Sequence, residues 1–208
     1  MESELQANAG DSALRTCLLS GGESCRMGRD KALLPHPEGG SWLERSLRLL
    51  AQLEAPISVL SRHPSHLELA RAIAPSLAVP LEALEEPAPW EGPLRALGRL
   101  MEHHPGALLL LCPVDMPWLD RTSLDILCQE AHGDPGQPLV AHDGERLQPL
   151  LGIYPADQQH RASLEAHLAL GRRSLQGWLE AVGARSVPLP AAPLRNANDP
   201  ATAAALWP

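Results

Sequence analysis

Hydrophobic positions along the chain fall into short blocks whose spacing alternates between continuous apolar runs and stripes with helical period. Residues 13–19 read as a first buried strand that breaks at Ser20-Gly21-Gly22, and the following loop runs to about Leu33. Residues 41–53 then open with Ser41 and carry Glu44 three positions later, a capping-box spacing, and Leu43, Leu47 and Leu50 form a helical stripe. A strand over 57–60, an amphipathic helix over 65–74 and a third strand over 77–80 continue the alternation. Pro93 suits the first turn of a helix reaching about His104, and the unbroken apolar run 107–112 suits a central parallel strand buried on both faces. The last third predicts a helix over 121–131, strands over 138–142 and 150–154, helices over 156–170 and 174–182, a strand over 185–189 and a short helix after Pro200.

This order predicts an α/β fold: a single three-layer Rossmann-like domain with a mostly parallel sheet, spanning residues 13–208 after a disordered tail over 1–12. Ligands in such sheets bind at the carboxyl ends of strands. The rule selects the loop from Ser20 to Lys31 and the loop from Pro113 to Asp120.

Composition narrows the function. The chain has 208 residues and a net charge of −8, so a general nucleic-acid or anionic-membrane surface is not expected. The run 107–112 is far too short to span a bilayer, no targeting segment is visible, and the four cysteines lack CxxC spacing, which together point to the cytoplasm. Aromatic residues make up only 3%, leaving Leu and Ala to build the core. Of the 17 basic residues all but Lys31 are Arg, which singles out the one compact ammonium in the sequence.

Lys31 ends the string Ser20-Gly-Gly-Glu-Ser-Cys-Arg-Met-Gly-Arg-Asp-Lys31. Its glycines do not have P-loop spacing and do not form a GxGxxG fingerprint. They still permit close approach of backbone N–H groups to an anion, and Arg26, Arg29 and Lys31 outnumber Glu23 and Asp30. Glycines alone favour an ordinary βα turn, because Gly-rich turns are common. Taken whole, Gly-Gly-x-Ser-x-Arg-Met-Gly-x-Asp-Lys after a first strand resembles the signature of nucleotidyltransferases of the nucleotide-diphospho-sugar transferase fold, and most closely the molybdenum cofactor guanylyltransferase family. Gly92-Pro93-Leu94, Asp115-Met116-Pro117, Pro149-Leu150 before Tyr154, and Asn196-x-Asn198-x-Pro200 follow in the family's order and extend the resemblance over nearly the whole chain. Ser20, Val114 and Arg95 depart from it; Arg95 either crowds the nucleotide pocket or points away from it as an ordinary helix-surface residue.

The resemblance implies transfer of GMP from GTP to the phosphate of molybdenum-carrying molybdopterin, with release of pyrophosphate. It implies Mg²⁺ as cofactor, and molybdenum-insertion proteins and apo-molybdoenzymes as partners. It places Arg26, Lys31 and Asp115 in catalysis, with Asp115 on the metal. Nucleotide contacts are expected from Leu19, Ser20, Gly21, Gly22, Lys31, Glu85, Gly92 and Pro93, with Glu86 as the alternative to Glu85 for the acid that contacts guanine. Asn196 and Asn198 are expected at the pterin. Gly21-Gly22 favours GTP over the CTP of the related cytidylyltransferases, and a nucleotide-binding relative without turnover is a further alternative. The pairs His63/His66 and His103/His104 have no Cys or carboxylate at structural-zinc spacing, so a zinc site is not expected.

Overall fold

The computed structural model describes residues 13–22 and 30–197; the N-terminal tail, most of the Gly-rich loop and the segment after Pro200 lie outside the described residues. The strands are β1 (Leu14–Leu19), β2 (Ile57–Ser61), β3 (Leu81–Glu85), β4 (Leu108–Pro113), β5 (Leu139–His142), β6 (Leu147–Pro155) and β7 (Arg185–Pro188). They form one sheet in the order β3-β2-β1-β4-β6-β5-β7, in which β6 alone runs against the rest. The helices are α1 (Trp42–Ala51), α2 (Pro64–Ile73), α3 (Pro93–His103), α4 (Arg121–Gly133), α5 (Gln158–Ala169) and α6 (Leu175–Val182).

Strand period decides which helices cover which face. On β1, Cys17 and Leu18 point to opposite sides. Leu18 joins Val59, Leu110 and Ile153 in a core closed by α1, α2 and α4, whereas Cys17 joins Leu109, Leu111 and Tyr154 in a core closed by α3, α5 and α6. The central strands are therefore buried on both faces, which is why 107–112 is apolar without alternation. Burial pushes the Cys17 and Cys112 thiols up to about 12, so both stay protonated core groups. Helix α1 starts at the expected box: Glu44 N donates to Ser41 Oγ and Ser41 N donates to Glu44 Oε2 at 2.7 Å.

The third strand is displaced from its expected position at 77–80 to Leu81–Glu85. A 3₁₀ turn at Ala74–Ser76 follows α2, and the chain pairs with β2 only from Leu81, opposite Ile57. Leu-Glu-Ala-Leu-Glu consists of helix formers on a half-exposed edge strand, so neither propensity nor apolar content marks it as a strand. Strand β6 is longer than expected because β4 and β5 pair with it on either side.

The β5–β6 register shifts between Val140 and Ala141, and there Gly152 lies so close to β5 that a Cβ would run into the Leu139 carbonyl oxygen. Gly152→Ala is expected to destabilise the protein by about 1–3 kcal/mol. Thermal unfolding should record this as a midpoint lowered on the order of 5 °C; an unchanged midpoint would mean that the backbone relaxes freely at the bulge.

Candidate active site

Strand order reverses between β1, which continues toward β2 and β3, and β4, and a cleft of about 650 Å³ opens at the carboxyl ends of these strands. Leu19, Ser20, Gly21, Gly22, Lys31, Gly92, Pro93 and Asp115 all line it. The two loops selected from the sequence are brought together because Leu19 pairs with Pro113 across the β1–β4 ladder and Val114 N donates to Leu19 O at 3.1 Å.

Lys31 opens a 3₁₀ turn whose N-cap is Asp30. Asp30 Oδ1 accepts from Ala32 N at 3.1 Å, and Asp30 Oδ2 meets Nε2 of the buried His66 at 2.6 Å. The other ring nitrogen of His66 lies 3.0 Å from Ser61 Oγ, which donates to Ser20 O. A chain of polar contacts thus ties both ends of the β1 loop to α2 and β2. The Lys31 ammonium, 14% exposed, stands 3.9 Å from the Asp115 carboxylate. Ser20 is buried, and among the described residues its Oγ has no hydrogen-bond partner.

The Asp115 loop is held by its carbonyls. His36 Nε2 lies 3.1 Å from Pro117 O, Arg45 Nη1 donates to Leu119 O at 2.8 Å, and Ala197 N donates to Asp115 O at 3.0 Å. Burial pushes His36 below the ordinary histidine range. Burial also raises the Asp115 carboxyl above the usual carboxylate value, with the Lys31 ammonium opposing the shift. A desolvated carboxylate facing a cleft is stabilised by any cation brought to it. Mg²⁺ takes one or two protein carboxylates and completes its shell with water and phosphate oxygens, so Asp115 fits such an ion without a dedicated protein cage.

Of the two neighbouring acids, Glu86 is the one that lines the cleft. Glu85 ends β3 with an exposed side chain and does not line the cleft, whereas the next residue turns inward. Glu86 Oε1 accepts from Arg99 Nη1 at 2.8 Å, and a Cβ placed on Gly21 would come within 2.8 Å of Oε2. Absence of a side chain at residue 21 thus makes room for the carboxylate. Trp90, 53% exposed, donates through Nε1 to Glu86 O and carries the Arg62 guanidinium over its ring at 4.8 Å from the centroid.

Gly92 has a φ of 89°, in the region that favours glycine, and leads directly into α3 with Pro93 in the first turn. Arg95 turns away from the cleft to bind Glu91 at 3.1 Å, and Ala96 lines the wall instead. Asn196 does not line the cleft; its Nδ2 donates to Gln148 Oε1 at 3.4 Å. Arg26 and Asn198 lie outside the described residues. Arg62, His66 and Trp90 join the site without having been singled out for it in the sequence, since no local spacing connects residues 62–90 to the Gly-rich loop.

A family model described as the MobA-like NTP transferase domain matches residues 16–186. A Rhodopirellula baltica protein named "Probable molybdenum cofactor guanylyltransferase" is 35% identical, over 97% of this chain and 96% of its own length. A Mycobacterium tuberculosis protein of the same name is 34% identical over 88% of each chain. Among solved structures, molybdopterin-guanine dinucleotide biosynthesis protein A from Archaeoglobus fulgidus superposes with a TM-score of 0.69 at 18% identity, over 92% of this chain and 96% of that one, a likeness in fold. With both ends of the signature loop and Asp115 lining one cleft and the family model matching most of its length, the chain belongs to the MobA-like NTP transferase family.

Proposed function

We propose that the protein transfers GMP from GTP to the phosphate of molybdenum-carrying molybdopterin, with residues 13–208 acting as one nucleotidyltransferase domain. The observation that carries this reading is the meeting of Lys31 and Asp115, from two adjacent strand ends, at 3.9 Å in the cleft walled by Gly21 and Glu86. The two guanylyltransferase-named relatives, at 34 and 35% identity, support the same choice of substrate.

In the reaction an oxygen of the acceptor phosphate attacks the α-phosphorus of GTP. The new O–P bond forms as the bond from the α-phosphorus to the bridging oxygen breaks, and pyrophosphate leaves with the electron pair. The protein's contributions are alignment and neutralisation of charge. Backbone N–H groups at Gly21 and Gly22 are assigned to the nucleotide, the Ser20 N–H being taken up by Leu60 O, and the Lys31 ammonium acts as a point charge on the α-phosphate. Arg26 is assigned to the triphosphate by its place in the motif. The Glu86 carboxylate has the acceptor oxygens that guanine N1–H and N2–H₂ require, and Arg99 holds it in place. Asp115 would hold Mg²⁺, which when bound supplies positive charge to the phosphate oxygens. The exposed face of Trp90 offers a stacking surface at the cleft rim, and Asn196 and Asn198 are assigned to the pterin by the motif alone.

Thermal unfolding with Mg²⁺ and each of GTP, CTP, ATP and UTP tests the reading. GTP at about 100 times its dissociation constant should add roughly 2.7 kcal/mol and raise the midpoint on the order of 5–10 °C. A shift with CTP instead would move the assignment to a cytidylyltransferase, a shift with GTP but no pyrophosphate release in the presence of the acceptor would favour a nucleotide-binding relative without turnover, and no shift with any nucleotide would count against the nucleotidyltransferase reading. Lys31→Arg keeps the charge but replaces a point donor by a planar fork, and pyrophosphate release should fall by about 10²-fold or more. Full activity in that variant would remove Lys31 from the mechanism. Asp115→Asn should lose Mg²⁺-dependent pyrophosphate release while unfolding at an unchanged or higher temperature, because a desolvated charge has been removed; near-normal turnover would exclude Asp115 as the metal ligand.

A further inference from the structure

At the sheet edge opposite the cleft, where α3 ends, register places Cys17, Ser58 and Glu82 in one row across β1, β2 and β3. Helix α3 delivers His103 and His104 over this row. Two consecutive helical residues point about 100° apart, but His104 leaves helical geometry with φ −126° and ψ 63°, and both imidazoles turn toward Glu82. His103 Nε2 lies 2.9 Å from Glu82 Oε1, and His104 Nε2 lies 3.9 Å from Glu82 Oε2. The ring centroids are 4.6 Å apart, and one donor atom from each of the three residues falls within 4.8 Å of the others.

We propose that Glu82, His103 and His104 form a binding site for a divalent transition ion of the zinc type, separate from the nucleotide cleft. Nitrogen and oxygen donors about 2.1 Å from a tetrahedral zinc ion are about 3.4 Å from one another. The observed separations, 2.9 Å to Oε1 and 3.9 Å to Oε2 with the three donor atoms within 4.8 Å of one another, are wider than that at their largest, and Glu82 and His103, each 44% exposed, can move to close the difference. Two imidazoles and a carboxylate match the donor preference of zinc over magnesium, and the C-terminal carbonyls of α3 favour a cation. His104 is largely buried, and desolvation keeps its ring neutral, the form that binds metal. Its Nε2 now contacts Ser58 Oγ at 2.8 Å. An ion displaces that contact, and Arg15 Nη1, 3.4 Å from the same hydroxyl, remains as the donor to Ser58. The Arg15 charge opposes the ion, and the Glu82 carboxylate offsets it. Water would complete the coordination beyond these three protein donors.

The test uses the full chain stripped of metal, titrated with zinc against a chromophoric chelator in saturating Mg²⁺, and separately with cobalt followed by its visible absorption. Wild type should take up one zinc ion per chain and show the intense cobalt bands of a low-coordinate site. His103→Ala and Glu82→Gln alter exposed side chains, and each should weaken zinc by about tenfold or more and bleach those bands. Pyrophosphate release with Mg²⁺, GTP and the molybdopterin acceptor should be unchanged in both variants. Failure of the wild type to bind zinc would overturn the site, leaving the cluster as a plain histidine–carboxylate contact. Unchanged affinity and spectrum in both variants would place the ion elsewhere, and loss in only one would overturn the three-ligand assignment. The zinc readouts are independent of the proposed substrate, so a failed guanylyl assay leaves them interpretable.

Discussion

Parallel pairing of β1 with β4, Leu19 opposite Pro113, sends the chain leaving both strands off the same edge of the sheet. One of those exits leads to Lys31 and the other to Asp115, so a 3.9 Å approach between residues far apart in sequence follows from backbone hydrogen bonding. The strand order also reverses at this pair, with β2 and β3 on one side and β6 on the other. No helix crosses directly over a reversal point, and a cleft is left there for a ligand. Burial of both strands on two faces makes the arrangement stiff, because the whole apolar core would have to move before the strand ends could separate.

Within that frame the cleft has an electrostatic problem that its neighbours solve. The protein carries −8 overall, yet the proposed substrates are polyanions. Positive groups are placed where they act at short range: Lys31 beside Asp115, and Arg62 over Trp90. Acidic groups at the cleft are taken up by specific partners. Asp30 is engaged by His66, and Glu86 by Arg99. The Asp115 loop is held through its carbonyls by His36 and Arg45, which leaves its carboxylate for the cleft. Positioning by carbonyls adds no further negative side chain to the cleft.

Helix α3 links the two ends of the sheet. Its first turn, after Gly92, borders the cleft, and its last residue, His103, borders the histidine–carboxylate cluster. Eleven helical residues separate the two by about 16 Å, which is enough to keep their charges from acting on each other directly in salt solution. The same helix packs closely against α5, where a Cβ on Gly98 would lie 2.9 Å from Leu164 Cδ2. The two sites therefore share a rigid support without sharing ligands.

The sequence by itself determined the α/β alternation, the mostly parallel sheet, the capping box of α1 and the two loops that meet at the site, because each is set by local period, capping chemistry or the carboxyl-edge rule. Its motifs also carried the family, which needs residue identity and order but no coordinates. Position along β3 was not legible: Leu-Glu-Ala-Leu-Glu has no local strand signal and becomes a strand only by pairing with β2. One residue of phase there decides that Glu86, and not Glu85, enters the cleft. Tertiary structure alone decided that His66 would hold Asp30, that Arg95 would turn outward to Glu91, and that a carboxylate from β3 would meet His103 and His104. Each of these depends on which strands and helices become neighbours, and contacts between residues far apart in the chain leave no periodic trace in the sequence.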